Sequence, residues 1–241
     1  MSRNSKVFTI LTLFVLLSLV LVPSVAAFDG REGDQIVIGP DEVIEDDLYL
    51  GATTVIVDGV IKGDLYAGAE SITINGTIEG DLVTGAQTII LNGTVEGDVM
   101  AFGQSVVING TVGDDLRSGA AAIQFGEEAV VTDDLLFGGA SLELMPGAQV
   151  GGDLLVGGAQ VLVEGDVAGN LQVGSSAFEL TGSVGGNVTA YVDTPAEGDD
   201  YMPPMFYGPQ MNISMPSVKP GITITNNAKI DGDLSYTATS D

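Results

Sequence analysis

The stretch Gly59-Val-Ile-Lys-Gly-Asp-Leu65 returns 17 residues later as Gly76-Thr-Ile-Glu-Gly-Asp-Leu82, and after a further 17 as Gly93-Thr-Val-Glu-Gly-Asp-Val99. A repeat this short is one supersecondary unit that cannot bury its own apolar face, so successive copies must stack. Working outward, the aliphatic residue after each acidic or amide position forms the column Leu48, Leu65, Leu82, Val99, Leu116, Leu135, Leu154, Leu171 and Val188, in steps of 17 with two of 19. Ile38, Val55, Ile72, Ile89, Val106, Ile123, Leu142, Val161 and Phe178 make a second column. Val57, Ile74, Leu91, Ile108, Phe125, Leu144, Val163 and Leu180 run beside it, two residues on. Ile44, Ile61, Ile78, Val95, Val112, Val131, Val150, Val167 and Val184 complete the inward set. Residues between the columns, such as Thr73, Thr88 and Gln104, are polar or small, the period-two signature of strands with one buried face.

Short strands repeated in constant register exclude a meander, whose reversals would break the simple addition of columns. They predict an all-β, three-sided parallel β-helix of about nine to ten turns, each strand pairing with its equivalent one turn away at about 4.8 Å, in a prism roughly 45 Å long. Asp58-Gly59, Asn75-Gly76, Asn92-Gly93 and Asn109-Gly110 fall at one corner, where residues tolerant of left-handed backbone are expected. Gly51, Gly68, Gly85 and Gly119 are assigned to another corner. The two longer steps lie between Phe125 and Val131 and between Leu144 and Val150. The repeats span 28–192, and a stretch rich in Pro and Met, 193–219, then leaves the pattern. Its prolines forbid ladder pairing, so it reads as a surface loop thrown out of one turn. The pattern returns through Ile222, Ile224, Ile230, Leu234 and Tyr236, making 220–241 a final turn and tail. Neither end shows the signature of a cap.

Residues 1–27 read as an export signal: Arg3 and Lys6 supply the basic start, Val7 to Val22 the apolar run, and Val25-Ala26-Ala27 a small-residue cleavage site. An exported protein of the cell envelope or extracellular space is expected, with membrane attachment only if the signal is retained or the parent chain is longer. The chain carries 33 acidic and 7 basic residues, a net −26; removing Arg3 and Lys6 leaves 5 − 33 = −28. Such a surface repels nucleic acid and anionic headgroups and gathers cations diffusely.

The G-x-I-x-G-D-L pattern of Gly59–Leu65, Gly76–Leu82 and Gly93–Val99 resembles the bactofilin, or polymer-forming cytoskeletal, family with its secreted relatives, over about 36–192 and 222–236. The resemblance implies a right-handed β-helix that polymerises end to end without nucleotide. This chain differs from the usual cytosolic member in its export signal and in the 193–219 excursion.

The chain has no histidine and no cysteine, which removes the commonest general base, the commonest transition-metal ligand and any disulfide framework. The most prominent polar feature is the column Asp47, Asp64, Asp81, Asp98, Asp115, Asp134 and Asp153, continued as Asn170 and Asn187 and resumed at Asp233. Asp64, Asp81, Asp98 and Asp115 are its weak candidates for metal ligands. The spacing lacks the Gly-Gly-x-Gly-x-Asp rhythm of calcium β-rolls, so these aspartates are read as acceptors for corner backbone N–H groups inside a diffuse ion cloud. A uniform column also offers no pair of distinct environments to separate a catalytic acid from a base. Asn75, Asn92, Asn109, Asn187 and Asn212 match the N-glycosylation pattern, three of them at the repeated corner. Met202, Met205, Met211 and Met215 could suggest a thioether copper site, but no histidine or cysteine supports it.

These features predict a protein without cofactor or catalytic residues: a structural scaffold whose partner is itself, in a head-to-tail homopolymer. Two alternatives are a secreted carbohydrate-binding or carbohydrate-active β-helix and an adhesin or surface-layer component. The sugar reading needs aromatic platforms among charged residues, whereas the chain after residue 27 has two arginines, Arg31 and Arg117, and no tryptophan.

Overall fold

The computed structural model describes residues 29–194, 213 and 215–240; residues 1–27, expected to be an export signal, and most of the excursion, with Met202, Met205, Met211 and Asn212, lie outside them. Among the described residues every regular element is a β-strand, and the strands pair in parallel. A typical turn is one long strand, Leu48–Val57, followed by a two-residue strand, Val60–Ile61. Long strands stack into a 14-stranded sheet and short ones into a 10-stranded sheet, giving a parallel β-solenoid of about 10 turns.

Alternation fills the interior. Leu48, Leu50, Val55, Val57 and Ile61 of one turn are buried, and their equivalents continue as one core from Ile36 to Val192. Each Val, Leu or Ile so buried contributes roughly 1.5–3 kcal/mol, which suits a core built from β-branched and aliphatic residues without tryptophan or disulfides. Inward parity switches between Leu50 and Val55, so the long strand bends at residues 52–54 and lines two faces, with Val60–Ile61 lining the third. In two later turns the bend interrupts pairing and leaves separate strands, Leu154–Gly157 with Gln160–Val163 and Leu171–Ser175 with Ala177–Leu180.

Four expectations need correction. Gly51, Gly68, Gly85 and Gly119 are not corner residues; they sit inside the long strands, the first three pairing with one another and Gly119 with Phe102 and Gly138. The first turn is also two residues longer than the repeat, because Ile38 pairs with Val57 and Ile36 with Val55. Its corner closes through Glu42 N–H donating to the Gly39 carbonyl at 2.9 Å, as do Ala129 to Gly126 at 3.0 Å, Ala148 to Met145 at 3.1 Å and Ala228 to Thr225 at 3.1 Å. Thirdly, the prism extends past residue 192, since Asp193 and Thr194 pair with Thr239 and Ser240.

The fourth correction concerns the corner glycines. Among the described residues only Gly147 and Gly221 have positive φ, so Gly76, Gly93 and Gly110 are not there for left-handed backbone. A Cβ on any of them would instead collide with the carbonyl oxygen of the preceding rung, at Gly59, Gly76 and Gly93 respectively. Stacking, rather than turn type, demands glycine at this corner.

The two ends differ. At the first turn Asp29 and Arg31 stand in line with the core residues Leu48 and Leu50. Arg31 donates to Glu42 at 2.9 Å and to Asp29 at 3.2 Å, so an ion-paired lid closes this end among the described residues. At the last turn the same columns finish in apolar residues: Ile224, Leu234 and Tyr236 are 37%, 42% and 62% exposed.

Candidate functional site: two side-chain ladders and a neutral face

The aspartate column is a continuous hydrogen-bonded ladder. Asp47 Oδ1 accepts the backbone N–H of Asp64 at 2.9 Å, Asp64 that of Asp81 at 2.9 Å, Asp81 that of Asp98 at 2.9 Å and Asp98 that of Asp115 at 3.1 Å. The ladder continues through Asp134, Asp153, Asn170 and Asn187 to Asp233. A short carboxylate or carboxamide spans one rung and satisfies a donor that the corner would otherwise leave unpaired. The glycine before each aspartate belongs to the same device, because a Cβ on Gly63, Gly80 or Gly97 would run into the Oδ1 of Asp47, Asp64 or Asp81. Asn170 and Asn187 make the same bonds without charge, so the shared requirement of the column is an acceptor oxygen.

Each metal candidate therefore has one oxygen committed to backbone. Asp64 also accepts from the Tyr66 hydroxyl at 3.3 Å through its other oxygen. Acid density peaks where Asp114 and Asp133 replace the usual glycine, forming the triads Asp98–Asp114–Asp115 and Asp115–Asp133–Asp134. Arg117 reaches into the first, donating to Asp98 Oδ2 at 3.0 Å and to Asp115 Oδ2 at 2.5 Å. The chain thus supplies its own cation beside two of the four candidates. Asp134, some loss of solvent, Asp115, Asp114 and Asp153 together hold the exposed Asp133 carboxyl above the usual range. The triads were not singled out from sequence; the break of the Gly-Asp pattern at Asp114-Asp115 and Asp133-Asp134 was their available signal.

The Asn-Gly corner carries a second ladder. Asn75 Nδ2 donates to Asp58 Oδ1 at 2.7 Å, Asn92 to Asn75 at 2.8 Å and Asn109 to Asn92 at 2.8 Å. All three repeat-corner glycosylation candidates thus engage in the ladder one of the two N–H bonds of the nitrogen that a glycan would take. Asn187 is exposed and engages its oxygen, which accepts from Asp233 N at 2.8 Å.

Between the aspartate corner and the bend lies a face of a different kind. Its first outward column runs Tyr49, Tyr66, Val83, Met100, Arg117, Leu136, Leu155 and Gln172; the second runs Gly51, Gly68, Gly85, Phe102, Gly119, Gly138, Gly157 and Gly174. The Tyr49 and Tyr66 rings stack on each other at 4.7 Å and 6°, each covering one broad face of the other. A sugar platform would need their broad faces free.

Comparisons with protein-family models, with curated proteins and with solved structures found no match to this chain.

Proposed function

We propose that this protein is an exported, non-enzymatic scaffold of the cell envelope or extracellular surface, a secreted counterpart of the bactofilin-like polymer formers, and that it assembles head to tail. One observation carries the reading: the core columns reach the last turn uncovered among the described residues, with Leu234 and Tyr236 42% and 62% exposed. The column that ends in Tyr236 begins at Arg31, and those ending in Ile222, Ile224 and Ile230 begin at Ile36, Ile38 and Ile44. Stacking one copy on the next would set an aromatic ring against a guanidinium and isoleucines against isoleucines, a favourable match, while Leu234 would meet Asp29, which is ion-paired to Arg31. The outer strands also hold unpaired backbone groups, a template for another strand.

Electron microscopy of the chain from residue 28 onward, across a range of salt, tests the proposal. Filaments a few nanometres wide are expected, shortened to single prisms by Leu234→Asp with Tyr236→Asp. Single prisms at every salt and concentration in the unsubstituted chain would end the polymer reading.

A further inference from the structure

We propose that the glycine-floored face is a lateral interface between two copies of this chain, packed side by side and pointing the same way. The inference goes beyond end-to-end assembly and does not depend on it.

Most glycines of this face lack an internal reason to be glycine; Gly119, beside the Phe102 ring at 3.2 Å, is the crowded one. A Cβ added at Gly68, Gly138, Gly157 or Gly174 would meet nothing within 4 Å, none of these has positive φ, and all sit inside strands where glycine is a poor former. This contrasts with Gly76 or Gly93, which the chain's own backbone requires. The shelf stays level with the backbone beside the ridge of Tyr49, Tyr66, Val83, Met100, Leu136 and Leu155, and at one end the two bound a groove of about 850 Å³ closed by Phe102. A flat shelf that the chain does not need for itself fits the close approach of a second surface.

Charge selects a second copy and its direction. Of the eleven long-strand positions in the ridge column and eleven in the shelf column, only Arg117 and Glu32 are charged, in a chain of net −26. Two such molecules meet with least repulsion here. A two-fold axis parallel to the prism lays each ridge over the other copy's shelf at the same rung, Leu136 over Gly138 and Leu155 over Gly157. It also sets each aspartate column against the partner's bend, Thr53, Gln87, Gln104, Ala121 and Ala140, where Glu70 is the one acid from Thr53 to Ala140. The antiparallel alternative places ridge on ridge and aspartate column on aspartate column. Phe102 faces Met100 at one rung, where an unbranched thioether can give way. Seven steps of about 4.8 Å from the Gly51 rung to the Gly174 rung, by roughly four residues, make a patch on the order of 450 Å² before side-chain relief, over half of the roughly 800 Å² per partner of a standard interface.

Mass per unit length of the full chain, measured by scanning transmission electron microscopy, tests this independently of how many prisms join end to end. Twice the value of one prism is expected at moderate salt, falling twofold in Gly138→Glu with Gly157→Glu while circular dichroism stays unchanged. The chain has no cysteine of its own, so a Leu136→Cys chain mixed with a Gly138→Cys chain should oxidise to the mixed dimer. One-prism mass per length in the unsubstituted chain at every salt, an unchanged value in the double variant, or a Leu136→Cys chain that links only to itself would each overturn the proposal. Loss of filament length with doubled mass per length retained would count against end-to-end assembly alone.

Discussion

At the scale of single residues, three neighbours in one repeat make three different demands. Leu82 is fully buried in a column whose members touch the turns on both sides, so an aspartate there would be an uncompensated charge in the core. Asp81 needs only its acceptor oxygen, as Asn170 and Asn187 show in the same ladder. Gly93 has no room for a methyl group, because the Gly76 carbonyl occupies it. We expect Leu82→Asp to prevent folding, Gly93→Ala to cost about 1–3 kcal/mol, as overpacking does, and Asp81→Asn to be mild, within about 0.5 kcal/mol at moderate salt and stabilising at low salt, where its repulsion by Asp64 and Asp98 is unscreened. Denaturant unfolding followed by circular dichroism reads all three. Equal losses for Asp81→Asn and Leu82→Asp would mean that inward and outward positions are misassigned.

At the scale of the element, stacking puts like side chains of successive strands over one another, which aids hydrogen-bonded ladders and penalises like charges. Glu164 is half-buried near Glu143 and Glu179, and its carboxyl is raised mainly by loss of solvent and secondarily by those two neighbours. A raised carboxyl binds its proton more tightly folded than unfolded. Its contribution is therefore fully present below the ordinary glutamate value, about 4.3, and is lost as pH rises through the higher folded value. Glu164→Gln should flatten that part of the stability profile in thermal melts between roughly pH 4 and 7; an unaltered profile would reject the assignment. Elements were otherwise the most legible scale, because a period of 17 fixes which residues stack wherever the spacing is constant. The first turn escaped because Ile36 and Ile38 are both aliphatic and of the same parity, so steps of 17 and 19 look alike. The six-residue interval from Ile38 to Ile44, equal to that from Phe125 to Val131, was the available clue. The glycines were misread for a related reason: one letter serves both backbone crowding, at Gly76, and an open surface, at Gly68, and only coordinates separate them.

For the whole molecule, the opposing quantities are a continuous apolar core and a net charge of −26. The backbone bonds of the aspartate ladder secure its corners, yet they hold carboxylates one rung apart, where each neighbouring pair repels by roughly 1 kcal/mol even at the dielectric of water. The chain offsets this locally, with Arg117 between Asp98 and Asp115 and Lys62 on Glu45 at 2.8 Å, but five cations after residue 27 cannot balance 33 acids. Screening must supply the rest. At 0.01 M salt the Debye length is about 30 Å, comparable with the prism, whereas at 1 M it is about 3 Å, shorter than one rung. We therefore expect the unfolding midpoint to rise steadily with sodium chloride over that range, with Asp64→Asn plus Asp81→Asn lowering the slope while preserving both ladder bonds. The reduced slope is the discriminating result: salt that merely strengthened apolar burial would raise wild type and variant in parallel. Parallel curves, or a midpoint indifferent to salt, would mean that contacts specific to each carboxylate, rather than a diffuse ion cloud, already neutralise the column.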